Sequence, residues 1–82
     1  MTHSLEIQKP FADALLDGTL TFDIRTNDRG YQKGDIINYE VVDRMGLITS
    51  HRLNDESFII TYVLSGHGLQ EGYVAFGVEA IA

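Results

Sequence analysis

Cysteine is missing from this 82-residue chain. That excludes disulfide staples, thiolate zinc sites, iron–sulfur clusters and a cysteine nucleophile, so the core must hold the fold unaided. Positive charge is scarce. Six Lys+Arg stand against twelve Asp+Glu, for a net charge of −6 and a pI near 4.7, and a field of that sign repels polyanions and excludes a generic basic DNA coat. Long apolar runs are also lacking. The longest, Phe58 to Leu64, is interrupted by Thr61 and falls far short of the roughly 20 residues that span a bilayer. The first ten residues, MTHSLEIQKP, do not place a basic stretch before an apolar one as an export signal would. The expectation is a cytoplasmic protein without a membrane partner. Internal repeats and low-complexity segments are absent as well.

What is present suits a folded domain. Hydrophobic residues make up 44% and charged residues 22% of the chain, enough apolar surface for burial to offset chain entropy. A chain of this size buries only roughly 60% of its unfolded surface and cannot build two cores, so residues 1–82 are expected to form a single domain.

Periodicity gives the elements. Leu5 and Ile7 alternate in His3 to Gln8, a first strand with His3 on the same face. The one proline, Pro10, suits a helix start, Phe11, Ala12, Ala14, Leu15 and Leu16 form an apolar stripe, and Gly18 is placed to close the helix. From Thr19 the period becomes two: Leu20, Phe22 and Ile24 read as the buried face of a strand, with Asp23 and Arg25 on the other. Asn27 to Gly34 reads as a structured loop ending in a Gly34-Asp35 turn. Further strands are expected at Ile36 to Val42, Leu47 to Leu53, Phe58 to Leu64 and Tyr73 to Ile81, the third of these as a central strand covered on both sides. Six strands and one short helix near the N-terminus point to a mainly β (α+β) fold, a small bent β-barrel whose closure removes exposed edges.

Charge is polarised along the chain. Residues 25 to 33 hold Arg25, Arg29 and Lys33 against Asp28, a sum of +2, which leaves −8 for the remainder. A local positive site on an acidic body suits a small anion or a short run of phosphates, and the arginine fork binds either bidentately. The plainer reading is that Arg25 pairs with Asp23 or Asp28 and Arg29 lies in solvent. His3, His51 and His67 share no metal-ligand spacing, so no metal or other cofactor is expected. Tyr31, Tyr39, Tyr62 and Tyr73 offer stacking surfaces, but aromatic residues are common in strands on packing grounds alone. The glycines at 66, 68 and 72 miss the dinucleotide fingerprint, and no serine sits in a nucleophile elbow.

The spacing Gly18-x-x-x-x-Asp23-x-Arg25, followed by Asn27-Asp28-Arg29 and Gly34-Asp35, resembles the ASCH (activating signal cointegrator homology) domains of the PUA-like superfamily, closest to a compact bacterial and phage-associated branch of uncharacterised function. The likeness runs from the strand with His3 to the final Gly72-Tyr73-Val74 strand. It implies a small barrel that binds RNA or a modified base in a cleft beside the motif strand, with His3 as a polar group at the cleft floor. Two positions depart from the motif: Leu20 stands where relatives carry a lysine, and Asp23 where many carry Glu. In the amidohydrolase members that lysine is a proposed catalytic group, and leucine can act neither as base nor as nucleophile. The expectation is therefore a non-catalytic module recognising RNA or a nucleotide through His3, Asp23, Arg25, Asn27, Asp28, Arg29 and Tyr31. Two other functions stay open: a small hydrolase, as nucleoside amidohydrolase or ribonuclease, using Asp23, Asp28 and His3, or an acidic protein-interaction module.

Overall fold

The computed structural model describes residues 1–81. In chain order it contains β1 (Thr2–Gln8), α1 (Lys9–Asp17), β2 (Phe22–Thr26), β3 (Ile36–Val42), a one-turn 3-10 helix (Arg52–Asp55), β4 (Ser57–Ser65) and β5 (Tyr73–Ala80). The strands form one sheet in the order β1-β3-β4-β5-β2, with β1 parallel to β3 and every other pair antiparallel. The sheet curls into a half-barrel whose two edges are β1 and β2. The expected six-stranded barrel is thus corrected to an open sheet of five strands.

Alternation builds the core. His3, Leu5 and Ile7 of β1, Ile37, Tyr39 and Val41 of β3, Phe58 and Ile60 of β4, and Val74, Phe76 and Val78 of β5 are all buried. They line the concave face, each large apolar side chain contributing about 1.5–3 kcal/mol of burial. Helix α1 follows directly on β1, has Pro10 in its first turn, and ends at Gly18, whose left-handed φ of 84° suits a residue without Cβ. Nine residues make a helix that is marginal in water. Docking through Ala12 and Leu15, both buried, holds it in place, while Phe11 of the same stripe stays 55% exposed.

The expected strand at Leu47 to Leu53 does not form. Asp43 Oδ1 accepts the N–H groups of Met45 (2.9 Å) and Leu47 (3.0 Å), and a single bridge joins Val42 to Ile48. Farther along, His51 Nδ1 accepts the Leu53 N–H at 3.0 Å and opens the 3-10 turn. Asn54 does the rest: its Oδ1 accepts the Val41 N–H and its Nδ2 donates to the Thr49 carbonyl, both at 2.8 Å. Side chains thus satisfy backbone groups that a strand would otherwise have paired. Leu53, one of the apolar residues of that stretch, is fully buried from the 3-10 turn instead.

Strand β4 is central in the sheet, yet it is not covered on both sides. Its register shifts between Ile60 and Tyr62, and both Thr61 and Tyr62 are exposed. The extra residue of the bulge reverses the alternation, so Tyr62 turns away from the core.

Candidate functional site

Strand β2 is inverted relative to its apolar pattern. Asp23 pairs with Phe76 and Arg25 with Val74, and residues directly opposite in a ladder share a face. Both partners are buried core residues, so Asp23 and Arg25 lie on the concave side while Phe22 and Ile24 face outward at 51% and 48% exposure. The core supplies the reason. Tyr39, almost fully buried on β3, donates its hydroxyl to Asp23 Oδ2 at 2.9 Å. Arg25 Nε lies 3.1 Å from both Asp23 oxygens. The carboxylate therefore ties a tyrosine to an arginine, and neither an apolar Phe22 nor Ile24 in its place could satisfy the Tyr39 hydroxyl. Burial first, and then Asp23, pushes the Tyr39 pKa well above the ordinary tyrosine value, so the hydroxyl keeps its proton and remains a donor.

The same arginine spans the seam between the two sheet edges. Arg25 donates from Nη2 to the Glu6 carbonyl at 2.9 Å, and Arg29 donates from Nη1 to the Ser4 carbonyl at 2.7 Å. Backbone ladders hold neighbouring strands about 4.8 Å apart. Here two guanidinium groups bridge β1 to the β2 side of the seam, and each forms a charge-assisted bond to a carbonyl that no strand covers.

A cleft of about 620 Å³ opens beside this bridge, between β1, α1 and β2. Ile7, Leu15, Leu20 and Val42 line it with hydrocarbon, the rings of Phe11 and Phe22 stand at its walls, and Asp23, Arg25, Glu6 and Gln8 supply its polar groups. An apolar cleft of this size with a few convergent polar groups is the usual form of a small-molecule site. Leu20 contributes only hydrocarbon to that wall.

The residues singled out from the sequence separate into two sets. Asp23 and Arg25 line the cleft, and Arg29 lies at the seam next to it. The other four do not line it. His3 is buried in β1, with Nε2 2.8 Å from Asp35 Oδ2, and its ring packs on Tyr31 at 4.8 Å between centroids. Asp35 also accepts the Met1 amino group at 3.1 Å and the Gln32 N–H at 3.1 Å. The His3 bond is the main cause of its lowered pKa. Tyr31 is buried against Phe76 at 4.8 Å, which leaves no open ring face for a base. Burial raises its pKa, while Arg29 and then Arg25 act in the opposite sense. Asn27 and Asp28 are exposed in the loop after β2, where the Asn27 N–H bonds the Gly72 carbonyl at 2.8 Å. His67 sits in the β4–β5 turn with a positive φ of 51°. No group of three or more metal-ligating side chains occurs among the described residues.

Among the contributors to the site that were not singled out for it are Phe11, Phe22 and Tyr39. Phe11 and Phe22 each belong to an apolar periodicity that assigns them to the core. Tyr39 carried only the general signal of an aromatic residue in a strand.

The arrangement defines a small, mostly β domain with an open seam and a ligand-sized cleft beside it. The chain matches, over residues 2–78, the model of a family described as a domain of unknown function (DUF3850), and it belongs to that family. Among curated proteins nothing matches it. No helix among the described residues is long and apolar enough to cross a membrane.

Proposed function

We propose that the chain is a non-catalytic binding module that takes a nucleotide, or one or two nucleotides of single-stranded RNA, in the cleft between β1 and β2. The observation that carries this reading is the pairing of two exposed phenylalanine rings with an Arg25 guanidinium held at the cleft by Asp23. Bases stack on aromatic rings with little regard to sequence, while an arginine bonds phosphate or a base edge. The resemblance to ASCH and PUA-like domains supports the same ligand class. Leu20 in place of the motif lysine favours binding over amidohydrolysis.

Arg25 uses Nε on Asp23 and one Nη2 hydrogen on Glu6, which leaves donors on Nη1 for a ligand. Engagement of two phosphates, by Arg25 and Arg29, gives a slope of log affinity against log salt of about −1.4. Amide shift mapping of the chain with nucleoside monophosphates and short RNAs tests the reading. Shifts are expected at Gln8, Phe11, Phe22 and Ile24. A ligand panel that leaves these amides unmoved refutes it, and turnover of RNA or acetylated nucleosides by the purified chain replaces it with a hydrolase.

A further inference from the structure

The convex face of β2, β5 and β4 carries an uncovered apolar relief. Register sets Phe22 beside Gly77 and Tyr62, and Ile24 beside Ala75 and Leu64. Phe22, Ile24 and Tyr62 are 51%, 48% and 64% exposed, with Tyr73 at 37% at one end of the face. Alternation turns the first two outward, and the β4 bulge turns Tyr62 the same way. Between these ridges Ala75 and Gly77 leave a groove of about 580 Å³. Its floor is necessarily low: a Cβ at Gly77 would stand 2.6 Å from Thr61 Oγ1. Charge is almost absent here. Glu79 is the one charged side chain on these rows among the described residues, although the chain as a whole carries −6.

We propose that this face is the contact between two copies of the chain, related by a two-fold axis, with the Phe22/Ile24 ridge of each copy seated in the Ala75/Gly77 groove of the other. A ridge lying beside a groove on one surface is self-complementary under a two-fold operation, which is the requirement for an isologous dimer. A charged partner would find almost no counter-charge on this face. Two acidic copies, by contrast, meet here with most of their carboxylates elsewhere. A fully exposed aromatic side chain offers about 200 Å². On that scale the exposed parts of Phe22, Ile24, Tyr62 and Tyr73 supply roughly 400 Å² per copy. With the flanking Thr21, Thr61, Leu64 and Ala75 the pair removes roughly 1,000 Å² from water, the lower bound for a specific interface. The association is accordingly weak, with a Kd in the micromolar range. It requires no ligand, although Phe22 borders both the cleft and this groove.

Sedimentation of the full chain between about 1 and 500 µM reads the oligomeric state directly. The expected result is a concentration-dependent shift to twice the monomer mass that persists at 0.5 M NaCl, because apolar contact resists salt and the mutual repulsion of two acidic bodies is screened. Tyr62→Glu places a carboxylate on the face without entering the core, and it should raise the Kd at least tenfold. Met45→Glu, at a still more exposed position (84%) in the β3–β4 connection, should leave the Kd unchanged. A nitroxide attached through Thr26→Cys, the sole thiol in the chain, gives a second measurement. In a mixture with isotope-labelled native chain it should broaden the native Ala75 and Gly77 amides. A chain that is monomeric at every concentration overturns the proposal, even if another protein is found to bind the face. Equal effects of Tyr62→Glu and Met45→Glu overturn it too.

Discussion

Replacing Arg25 with methionine tests whether the seam between β1 and β2 is held by side chains. The substitution keeps most of the hydrocarbon stem and removes the guanidinium, with its contacts to both Asp23 oxygens and to the Glu6 carbonyl. Net values for hydrogen bonds to charged groups run at about 1.5–3 kcal/mol each. The pair is not deeply buried, with side chains 26% and 15% exposed, so solvent screening favours the lower end for the set as a whole. Asp23 is then left as a carboxylate with only the Tyr39 hydroxyl as partner. The expected loss is about 2 kcal/mol, a large share of the roughly 4–12 kcal/mol available to a domain of this length. Urea unfolding reads it as a fall in midpoint of about 1–2 M at an m-value of about 1–2 kcal/mol/M. The double variant Arg25→Met with Asp23→Asn removes both charges and keeps an acceptor for Tyr39. It should cost about 1 kcal/mol, less than Arg25→Met alone, because much of the single-variant loss is the stranded carboxylate. A single-variant loss below about 0.5 kcal/mol, or a double variant as costly as the sum of its parts, refutes the account.

Three other outcomes follow from named contacts. Asn54→Leu strands the Val41 N–H and the Thr49 carbonyl and should cost about 2 kcal/mol in the same unfolding assay; an unchanged midpoint would show that these groups find other partners. Asp35 has a lowered pKa, chiefly through its bond to His3. Its contribution to stability is therefore complete above the ordinary carboxylate pKa near 4 and is lost as pH falls through the lowered folded value. Unfolding midpoints measured from pH 6 down to pH 2.5 should show a flatter acid limb for Asp35→Asn than for the native chain, and identical limbs would count against the effect. Phe11→Ala removes a ring that is 55% exposed, so stability should change by less than about 1 kcal/mol. If the cleft stacks a base, affinity for a nucleoside monophosphate should fall at least about fivefold in a shift titration.

Period-two alternation made β2 legible as a strand, but it could not say which face turns inward. Phe22 and Ile24 look like core residues because they are apolar, and a buried Tyr39 hydroxyl that requires Asp23 is a contact 16 residues distant in sequence. The strand expected at Leu47 to Leu53 failed for a similar reason. Its composition suits a strand, but Asn54 and His51 compete for the backbone through bonds whose value depends on where Val41 and Leu53 lie in the finished fold. Local signals fared better. Gly18 has the left-handed conformation that a helix-closing glycine serves, and Gly34, at φ 93°, precedes the buried Asp35 as the turn requires. The histidine of β1 was legible as sharing a face with Leu5 and Ile7; that the face is closed over by Tyr31 depends on the loop after β2 folding back.

The local excess of positive charge in residues 25 to 33 takes on a different meaning in the folded chain. Arg25 and Arg29 supply two of its three cations, and each donates to a carbonyl of β1. An open sheet with two nearby edges is exposed to strand addition and aggregation, and capping edge carbonyls with arginine is one way to block it. Charge polarity alone would therefore exist even if no anion ever bound. What the seam bonds do not explain is the apolar cleft beside them, where Phe11 and Phe22 remain half exposed and no side chain fills about 620 Å³. A purely structural arginine bridge gains nothing from leaving that surface open to water, since each exposed ring forgoes its burial free energy. The open cleft, more than the charge, is the feature on which the proposed ligand rests, and Arg25 is the residue at which closing the seam and meeting that ligand would coincide.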